Sequence, residues 1–474
     1  MENIKYIVIN VQIDKIEIIK DFKIFLTSCP KSDKTFLNLT SFIFPISKIE
    51  IINLLYSDFI NSKDYFYWEV ENYNVKFLSV SPLIEIKESG EERLINTGKR
   101  IDSLQKGFCS NWAKYNNKDF PLAVGGIKFA PNRKSTSWND FSDSDWFIPE
   151  FTFFNKENNH FLIYNFIRTD NTENDIKKFS AQLNLFDKIN TNNIILENSL
   201  KQNAAIESNY SNEWENIVNK GLTNISEGLL SKVVLSRELK VELNIKPDLV
   251  QLITQLSKNY PKCYVFLYKR KNSYFFGASP EKLAKISNGN IEIDALAGSV
   301  SRGKNEQEDY ENAQFLLTSQ KNLFEQRAVV NFIHNLLQDI SDEINFNDTP
   351  IIRKLPNIQH LWTIITAKLK HNIKLFDVLL KLHPTPAICG APWKIAKDFI
   401  LENEPHERGL YTGNIGWFNF DCNGEFAVGI RSALLKKNLL YAYAGCGIVL
   451  GSEAKAEFDE SEIKLKPILS LFTE

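Results

Sequence analysis

The sequence lacks any apolar run long enough to cross a bilayer and any marked excess of one charge. No stretch reaches the ~18 apolar residues that a transmembrane helix needs, and 56 basic residues against 58 acidic ones leave a formal net charge of −2. The N-terminal segment "MENIKYIVINVQIDKIEIIK" alternates like a strand and reaches Asp14 and Lys15 too early for a secretory signal. We therefore expect a cytoplasmic protein that binds neither membrane nor nucleic acid.

The sequence also lacks paired cysteines. Its six cysteines are scattered, with no C-x-x-C spacing and no framework pattern. Neither a zinc site nor a disulfide scaffold is therefore expected, which agrees with a reducing compartment. The cysteines are Cys29, Cys109, Cys263, Cys389, Cys422 and Cys446.

Apolar residues are frequent enough for a large core. They make up 43% of the 474 residues. A chain of this length allows about three average domains or one large α/β unit. The N-terminal part holds short alternating segments such as "YFYWEV" and "HFLIYNFI". Alternation with a period of two predicts strands of a mostly antiparallel sheet. Helical spacing of apolar residues becomes clearer from Asn212 onward.

The stretch "LLSKVVLSREL" places a lysine at the start of a predicted strand. The three branched residues from Val233 to Leu235 suit a sheet that is covered on both faces. Lys232, just before them, is either a solvated residue at a strand end or an amine at the mouth of a pocket. The residues alone favour the solvated alternative, because lysines are seldom buried without a partner.

Two further segments suggest a site. In "FFGASPEKL", a strand is predicted to end at Ser279 and a helix to begin at Pro280, with Glu281 in its first turn. A carboxylate there is either a functional group or a residue that complements the helix dipole. In "DALAGSVSRG", Gly298 and Ser299 form a predicted turn where backbone can approach a ligand.

Acidic side chains near the C-terminus have helical spacing. Glu457, Glu460 and Lys464 fall at i, i+3 and i+7, hence on one face of a helix. Glu325 lies on an earlier segment, residues 305–340, that is also predicted to be mostly helical. Carboxylates from two helices are ligands that Mg²⁺ uses, and solvated ion pairing is the alternative.

Ten short segments occur together and in one order. They are "KVVLSR", "GASPE", "LAGS", "LL-x-S-x-K" with Glu325, "QHLWT", "LHPTPA", "RGLYTGNIGW", "AVGIRSALL", "YAGCGIV" and "E-x-x-E-x-x-x-K". Together they resemble the chorismate-utilising enzymes. That family includes isochorismate synthase, salicylate synthase, anthranilate synthase component I and aminodeoxychorismate synthase component I. The resemblance covers roughly Asn212 to Thr473.

The resemblance implies the family's fold and partners. The fold is a single large α/β (α+β) unit of two packed, mostly antiparallel sheets with outer helices. Residues 1–205 would form its strand-rich N-terminal part, and residues 206–474 its chorismate-binding catalytic region. The resemblance further implies a small-molecule substrate, Mg²⁺ as cofactor and no glutamine amidotransferase subunit. We expect a monomer or a weak homodimer.

The resemblance also implies the catalytic pair. Within the family, the residue before "VVLSR" separates water users from ammonia users, so Lys232 looks like the general base for water that attacks C2 of chorismate. Glu281 looks like the general acid that protonates the departing C4 hydroxyl. The lysine must then be held neutral and the carboxyl held protonated, which requires opposite pKa shifts.

The metal and substrate contacts follow from the same resemblance. Glu325 and Glu460 look like Mg²⁺ ligands, with Glu457 in support through water. Arg431 and Tyr411 look like contacts to the enolpyruvyl carboxylate, for which a guanidinium fork is well shaped. The complete set of implied substrate contacts is Gly298, Ser299, His360, Ala387, Tyr411, Arg431, Gly445 and Lys464.

Single positions narrow the reaction. Ala297 stands where aminodeoxychorismate synthases carry a nucleophilic lysine, which disfavours that reaction. Ala387 stands where salicylate synthases tend to carry threonine. The resemblance therefore implies an isochorismate synthase, which isomerises chorismate to isochorismate with Mg²⁺, and salicylate synthase is the alternative. The product would feed either menaquinone or siderophore synthesis.

One segment departs from the family pattern. The family's "KD-x-x-EH" reads "KNLFEQ" here, with Asn322 and Gln326 in place of an acid and a histidine. This departure leaves open a different class of protein, a degenerate homologue that binds chorismate-like ligands without turnover.

Overall fold

The computed structural model describes residues 6–9, 11–30, 35–71, 74–115, 119–131, 136–186, 189, 191–195 and 210–472. Its helices are α1 (Lys15–Ser28), α2 (Asp58–Asn61), α3 (Arg93–Gln105), α4 (Thr172–Leu185), α5 (Asn212–Ser226), α6 (Leu249–Asn259), α7 (Glu306–Thr318), α8 (Gln320–Gln338), α9 (Leu375–Leu382), α10 (Trp393–Asn403) and α11 (Ala454–Leu469). Short 3-10 helices lie at Ile51–Tyr56 and Trp112–Tyr115. None of the helices in these ranges has the length and hydropathy of a membrane span.

The strands of the N-terminal part are β1 (Tyr6–Ile9), β2 (Leu39–Pro45), β3 (Tyr65–Val70), β4 (Val75–Glu88), β5 (Cys109–Ser110), β6 (Ala123–Ile127), β7 (Ser144–Lys156), β8 (Asn159–Ile167) and β9 (Thr191–Ile195). Those that follow are β10 (Lys232–Glu242), β11 (Tyr264–Arg270), β12 (Ser273–Ser279), β13 (Lys282–Ser287), β14 (Asn290–Ser301), β15 (Ser341–Phe346), β16 (Ile351–Lys354), β17 (Ile358–Leu369), β18 (Gly390–Ala391), β19 (Asn414–Phe418), β20 (Gly424–Val428), β21 (Ser432–Lys436) and β22 (Leu439–Ile448).

Hydrogen bonds join 20 of the described strands into one network, and β1 pairs separately with β9. Strands β2 and β5 pair in parallel, whereas the long pairings, such as β10 with β22 and β14 with β17, are antiparallel. The predicted α/β class with a mostly antiparallel sheet is confirmed. The resemblance implies two packed sheets, whereas 20 of the described strands are hydrogen-bonded in this single network.

Strands from the two predicted parts of the chain interleave. Strand β3 pairs with β11, and β6 pairs with β19. The predicted boundary between residues 205 and 206 lies outside the described residues. The division of the chain at that point therefore stays a prediction.

Apolar side chains cover both faces of the sheet. On β3, Phe66 and Trp68 pack into one buried cluster, whereas Tyr65 and Tyr67 pack into another. Side chains alternate between the faces of a strand, so the run "YFYWEV" is buried at every position. Burying each such large apolar side chain stabilises the fold by about 1.5–3 kcal/mol. The strands thus form a rigid frame that holds polar groups at its ends.

The segment 305–340 forms two helices that are separated at Ser319. The Ser319 hydroxyl accepts hydrogen bonds from the backbone nitrogen of Asn322 (3.4 Å) and from its Nδ2 (2.9 Å). A serine at this position satisfies a backbone donor at the start of a helix. The cap therefore begins α8, the helix that carries Glu325.

The prediction of a helix that begins at Pro280 is wrong. Glu281 lies in the short connection between β12 and β13, and its carbonyl accepts a hydrogen bond from the backbone nitrogen of Val428 (3.0 Å). The residues that follow pair with β20 and β14, with Leu283 and Ile286 buried. Strand pairing overrides the local helix signal here, and Glu281 has no helix dipole to complement.

Cys29 and Cys109 form a disulfide, although the sequence predicts none. Their Cα atoms lie 6.3 Å apart, and they are separated by 80 positions. Cys29 follows α1 and Cys109 opens β5, so the bond ties this helix to the sheet. Spacing along the chain gives no signal for such a pair, because only the folded chain brings the two residues together.

Candidate active site

The residues that the sequence singles out lie around one cavity of about 380 Å³. Its walls come from β10, β14, β17, β22, α7, α8 and α11, together with the connections that follow β12, α7, α9, α10 and β20. All thirteen of the predicted site residues line it: Lys232, Glu281, Gly298, Ser299, Glu325, His360, Ala387, Tyr411, Arg431, Gly445, Glu457, Glu460 and Lys464.

Lys232 is the first residue of β10, where it pairs with Ala391. Its side chain lies over Gly447, where an added Cβ would come within 2.6 Å of the lysine Cε. Only glycine leaves room for this side chain. Burial lowers the pKa of Lys232, against the attraction of Glu325 and with the help of Lys464. The amine is therefore easier to deprotonate than a solvated lysine.

Glu281 carries the opposite shift. The residue is only 9% exposed, and burial, followed by repulsion from Asp294, raises its pKa to about 7. Asp294 is itself held by Arg353, with 2.8 Å between Oδ2 and Nη1. Glu281 thus keeps its proton up to near-neutral pH, which is the state that an acid catalyst needs.

Three carboxylates reach the cavity from two helices. Glu457 and Glu460 lie one turn apart on α11, and Glu325 lies on α8. Glu460 pairs with Lys464 at 2.6 Å, and this charge lowers the pKa of Glu460. Glu457 accepts a hydrogen bond from Ser452 Oγ at 2.7 Å.

These carboxylates fit a cation that needs only part of its ligands from the protein. Mg²⁺ binds through one or two carboxylates and completes an octahedron with water and substrate. Within the described ranges, no group of three or more His, Cys, Asp and Glu side chains is placed to hold a metal ion by itself. A cation in this cavity would complete its ligands with water and substrate oxygens.

A buried guanidinium faces the same cavity. Arg431 is 9% exposed, and no carboxylate in the described part of the chain forms a salt bridge with it. Its backbone lies in the left-handed region, with φ of +50°. Burial lowers the pKa of Arg431, yet arginine stays charged at neutral pH. Such a fork is well shaped for the carboxylate of a ligand.

Aromatic and glycine residues complete this end of the cavity. Tyr411 stacks on Tyr443, with ring centroids 5.1 Å apart. A Cβ on Gly445 would lie 3.0 Å from the Tyr411 hydroxyl, and Lys464 Nζ donates to the Gly445 carbonyl at 3.0 Å. The glycine therefore lets the tyrosine approach the backbone of β22.

His360 is held as a neutral ring. Its Nδ1 lies 2.9 Å from Ser299 Oγ and 3.2 Å from the carbonyl oxygen of Gly298. Because a carbonyl only accepts, this contact places the ring hydrogen on Nδ1. Burial, followed by the charge of Arg431, lowers the pKa of His360 to about 3. The neutral ring offers Nε2 as a hydrogen-bond acceptor.

The two departures from the family pattern lie in different surroundings. Asn322 lines the cavity, and its Oδ1 would lie 3.0 Å from a Cβ on Gly298. Gln326 is 2% exposed and does not line the cavity. Its Nε2 donates to the Ala295 carbonyl (2.9 Å) and to Thr363 Oγ1 (3.1 Å). Only the asparagine therefore faces a bound ligand.

Sequence reasoning missed several residues of the cavity wall, among them Lys321, Thr412 and Tyr443. Lys321 belongs to the segment "LL-x-S-x-K", which was a usable signal. Tyr443 lies on β22, where alternation predicts burial but says nothing of its hydroxyl. That hydroxyl donates to Glu238 at 2.9 Å.

Comparison with known proteins gives relatives along most of the chain. An isochorismate synthase, MenF of Bacillus subtilis, is 32% identical over 401 residues, which cover 80% of this chain and 84% of that protein. The salicylate biosynthesis isochorismate synthase of Pseudomonas aeruginosa is 38% identical over 254 residues, or 53% of each chain.

A solved structure shows the same fold. It is that of MenF, the menaquinone-specific isochorismate synthase from Escherichia coli, with a TM-score of 0.76 over 97% of this chain and 100% of that one, at 20% identity. Residues 25–473 also match the family model described as a chorismate binding enzyme. The chain therefore belongs to the family of chorismate-binding enzymes.

Proposed function

We propose that the protein is an isochorismate synthase, an isomerase that converts chorismate to isochorismate. The observation that carries the proposal is the pair of opposite pKa shifts, down for Lys232 and up for Glu281, in one cavity. Hydration at one ring carbon with loss of hydroxyl at another needs a base and an acid together. The names of the relatives from Bacillus subtilis and Pseudomonas aeruginosa support the same reaction.

Lys232 acts as the general base. Its neutral amine takes a proton from a water molecule, whose oxygen then bonds to C2 of the chorismate ring. Burial makes this step accessible, because it lowers the pKa of the amine. As the new C–O bond forms at C2, the two conjugated ring double bonds each shift by one bond towards C4, where an electron pair leaves with the hydroxyl oxygen.

Glu281 acts as the general acid. Its carboxyl gives its proton to the hydroxyl at C4, and the C4–O bond breaks to release water. One water enters and one leaves, so the net change is an isomerisation. Each turnover leaves Glu281 deprotonated, because its proton departs with the released water, and Lys232 protonated by the water that attacks. Solvent returns both groups to their starting states.

The remaining cavity residues bind and orient the substrate. Glu325 and Glu460, supported by Glu457, would hold Mg²⁺, which when bound neutralises and orients the ring carboxylate. Arg431, Tyr411 and the Gly445 backbone bind the enolpyruvyl carboxylate, and Lys464 binds the other carboxylate. His360 contacts the substrate through its neutral ring, and the turn at Gly298 and Ser299 brings backbone close to it.

The proposal extends to the product and the setting. Ala387 adds neither a hydroxyl nor bulk beside the substrate, so isochorismate leaves intact. The enzyme uses water rather than ammonia and therefore needs no glutamine amidotransferase subunit. We place it in the cytoplasm, as a monomer or a weak homodimer.

The decisive assay supplies chorismate and Mg²⁺ to the purified protein and separates the products by chromatography. Isochorismate should form, should disappear on chelation and should return with Mg²⁺, since unneutralised carboxylates would repel a dicarboxylate substrate. Ammonium should change nothing, and Glu281→Gln should abolish most of the turnover. Anthranilate formed from ammonia would refute the role of Lys232. If salicylate is the main product, the protein is a salicylate synthase. If it binds chorismate without turnover, it is a degenerate homologue.

A further inference from the structure

A buried ion pair lies directly behind the cavity wall that carries Lys232. Nε and Nη2 of Arg408 donate to the two carboxylate oxygens of Glu404, at 2.8 and 2.6 Å. Both side chains are nearly inaccessible, at 3% and 2% exposure, and the guanidinium lies 4.5 Å from the ring centroid of Phe129. Although burial works to raise it, the charge of Arg408 holds the pKa of Glu404 below its usual value. The pair is therefore fully charged.

The other donors of Arg408 reach the backbone of the cavity wall. Nη2 donates to the carbonyl of Val234 at 2.7 Å. Nη1 donates to the carbonyl of Ile388 at 2.9 Å and to Thr412 Oγ1 at 3.4 Å. All three acceptor residues line the cavity, whereas Arg408 itself does not.

These acceptors are chain neighbours of the groups that face the substrate. One lies two residues after Lys232, another directly after Ala387, and the third directly after Tyr411. A single guanidinium thus joins three separate segments of the chain. Because none of the three is adjacent to another in sequence, Arg408 adds to the contacts that fix their relative positions, such as the backbone hydrogen bond from Val234 to Cys389.

The ion pair also completes the edge of β10. Strand β18 is only two residues long, and its side of β10 is last paired where the Val234 backbone nitrogen donates to Cys389 (2.9 Å). Beyond that point, Glu404 accepts from the backbone nitrogen of Ser236 at 2.7 Å and from its hydroxyl at 3.0 Å. The charged pair takes the place of a neighbour strand on this side of β10, and β22 pairs with the other side. The pair therefore contributes to holding the strand that begins at Lys232.

We propose that Arg408 and Glu404 are positioning residues, which hold Lys232, Ala387 and Tyr411 in the arrangement that the reaction requires. The inference rests on the proposed function. A displacement of about 1 Å in a reacting group costs on the order of 10²-fold in rate. Lysine cannot replace the arginine, because it lacks the rigid fork that serves four acceptors at once.

The test compares Arg408→Lys with Arg270→Lys. Arg270 is a matched control: it is 1% exposed, pairs with Asp145 at 2.8 Å, and does not line the cavity. Both variants should unfold at lower temperature than the wild type. At a temperature where both stay folded, Arg408→Lys should lower kcat at least ~10-fold more than the control, with a smaller change in KM.

The pH profile gives a readout that lost stability alone does not move. In Arg408→Lys, the displaced amine of Lys232 gains water, so its bend in the plot of log kcat against pH should move to higher pH. The charged groups that face this amine, Glu281, Glu325, Glu460 and Lys464, are unchanged in both variants. Equal kcat values and equal profiles for the two variants would overturn the inference.

Two further measurements keep the test decisive. If Arg408→Lys does not fold, Glu404→Gln is compared with Asp145→Asn by the same assays and the same criteria. If the wild type makes no isochorismate, the proposed function fails separately. Calorimetric affinity for chorismate then decides the inference: weaker binding in Arg408→Lys alone supports it, and equal binding in both variants refutes it.

Discussion

Strands β10 and β22 form one wall of the cavity with backbone in close contact, whereas α8 lines another part with side chains alone. On the strand wall, a Cβ at Gly445 would lie 2.6 Å from the Leu235 carbonyl oxygen, and one at Gly447 equally close to Lys232 Cε. On the helix, Asn322 departs from the family pattern. The strand wall has no spare volume and tolerates little change. We therefore expect substitutions there to lower activity most, and substitutions on α8 to change it only slightly.

The largest loss should follow Lys232→Gln, on the strand wall. Removing the base should lower isochorismate formation by at least ~10²-fold while substrate binding persists. Product chromatography gives the rate, and calorimetry gives the binding. Lys240→Gln, an exposed position on the same strand, is the control and should keep wild-type turnover. Near-normal turnover in Lys232→Gln would remove the water-activation step.

The pH dependence should show how the two catalytic groups are matched. The proposed reaction needs neutral Lys232 and protonated Glu281, whose pKa is raised to about 7. As pH rises through about 7, the acid form of the free enzyme is lost, so the slope of log kcat/KM against pH should fall by one there. Asp294→Asn should move this bend to lower pH, because Asp294 helps to raise that pKa. A bend that stays in place would show that it belongs to another group.

A single methyl group on the strand wall should cost roughly tenfold in kcat. Gly447→Ala places a Cβ within 2.6 Å of the present position of Lys232 Cε, which should move the base away from its water. The control is Gly98→Ala, whose added Cβ meets Phe376 at 3.3 Å, away from the cavity. Stopped-time assays on both variants, with thermal unfolding curves, separate the catalytic effect from a loss of stability. Equal kcat values would mean that the strand wall has more space than its geometry indicates.

The sequence predicts the lining of the cavity better than the local structure around it. All thirteen residues predicted to catalyse or to bind substrate or metal line one cavity, because the residue types and their order along the chain record what the folded site requires. The roles assigned to those residues stay predictions. The helix predicted at the start of β13 is wrong. Pro280 and Glu281 give a good local helix signal, but β13 pairs with β20, which lies far along the sequence.

Other features depend wholly on contacts across the fold. The disulfide between Cys29 and Cys109 joins residues 80 positions apart, and no spacing rule marks it. The ion pair of Arg408 and Glu404 forms hydrogen bonds with one edge of β10. Only the strand pairing in the folded chain shows where that edge lacks a neighbouring strand. Periodicity reports which side chains are buried, but it does not report which buried charges meet.

On the helix, the effects should be smaller and confined to one of the two altered positions. Asn322→Asp adds a carboxylate beside the cavity and should strengthen the dependence of activity on Mg²⁺. The Mg²⁺ concentration for half-maximal activity should fall a few-fold, on the order of 1 kcal/mol or less for a partly solvated charge. Gln326→His alters a buried contact to Ala295 and should leave that dependence unchanged. Titration of Mg²⁺ against activity and against tryptophan fluorescence distinguishes the two. A larger effect from Gln326→His would place it nearer to the ligand than its contacts indicate.

The smallest effect on rate, and the most informative about the product, should come from Ala387→Thr. Threonine adds a methyl and a hydroxyl beside the substrate, and reacting atoms must meet within ~3–3.5 Å in an aligned conformer. The carbonyl of the next residue, Ile388, is held by Arg408 at 2.9 Å, so the substrate rather than the wall should shift. We expect a minor share of salicylate and pyruvate beside isochorismate, measured by chromatography. Ala297→Thr adds the same atoms elsewhere in the cavity and should give neither. Equal amounts of salicylate from both variants would show that position 387 does not control the product. Salicylate as the main product of the wild type would overturn the product assignment.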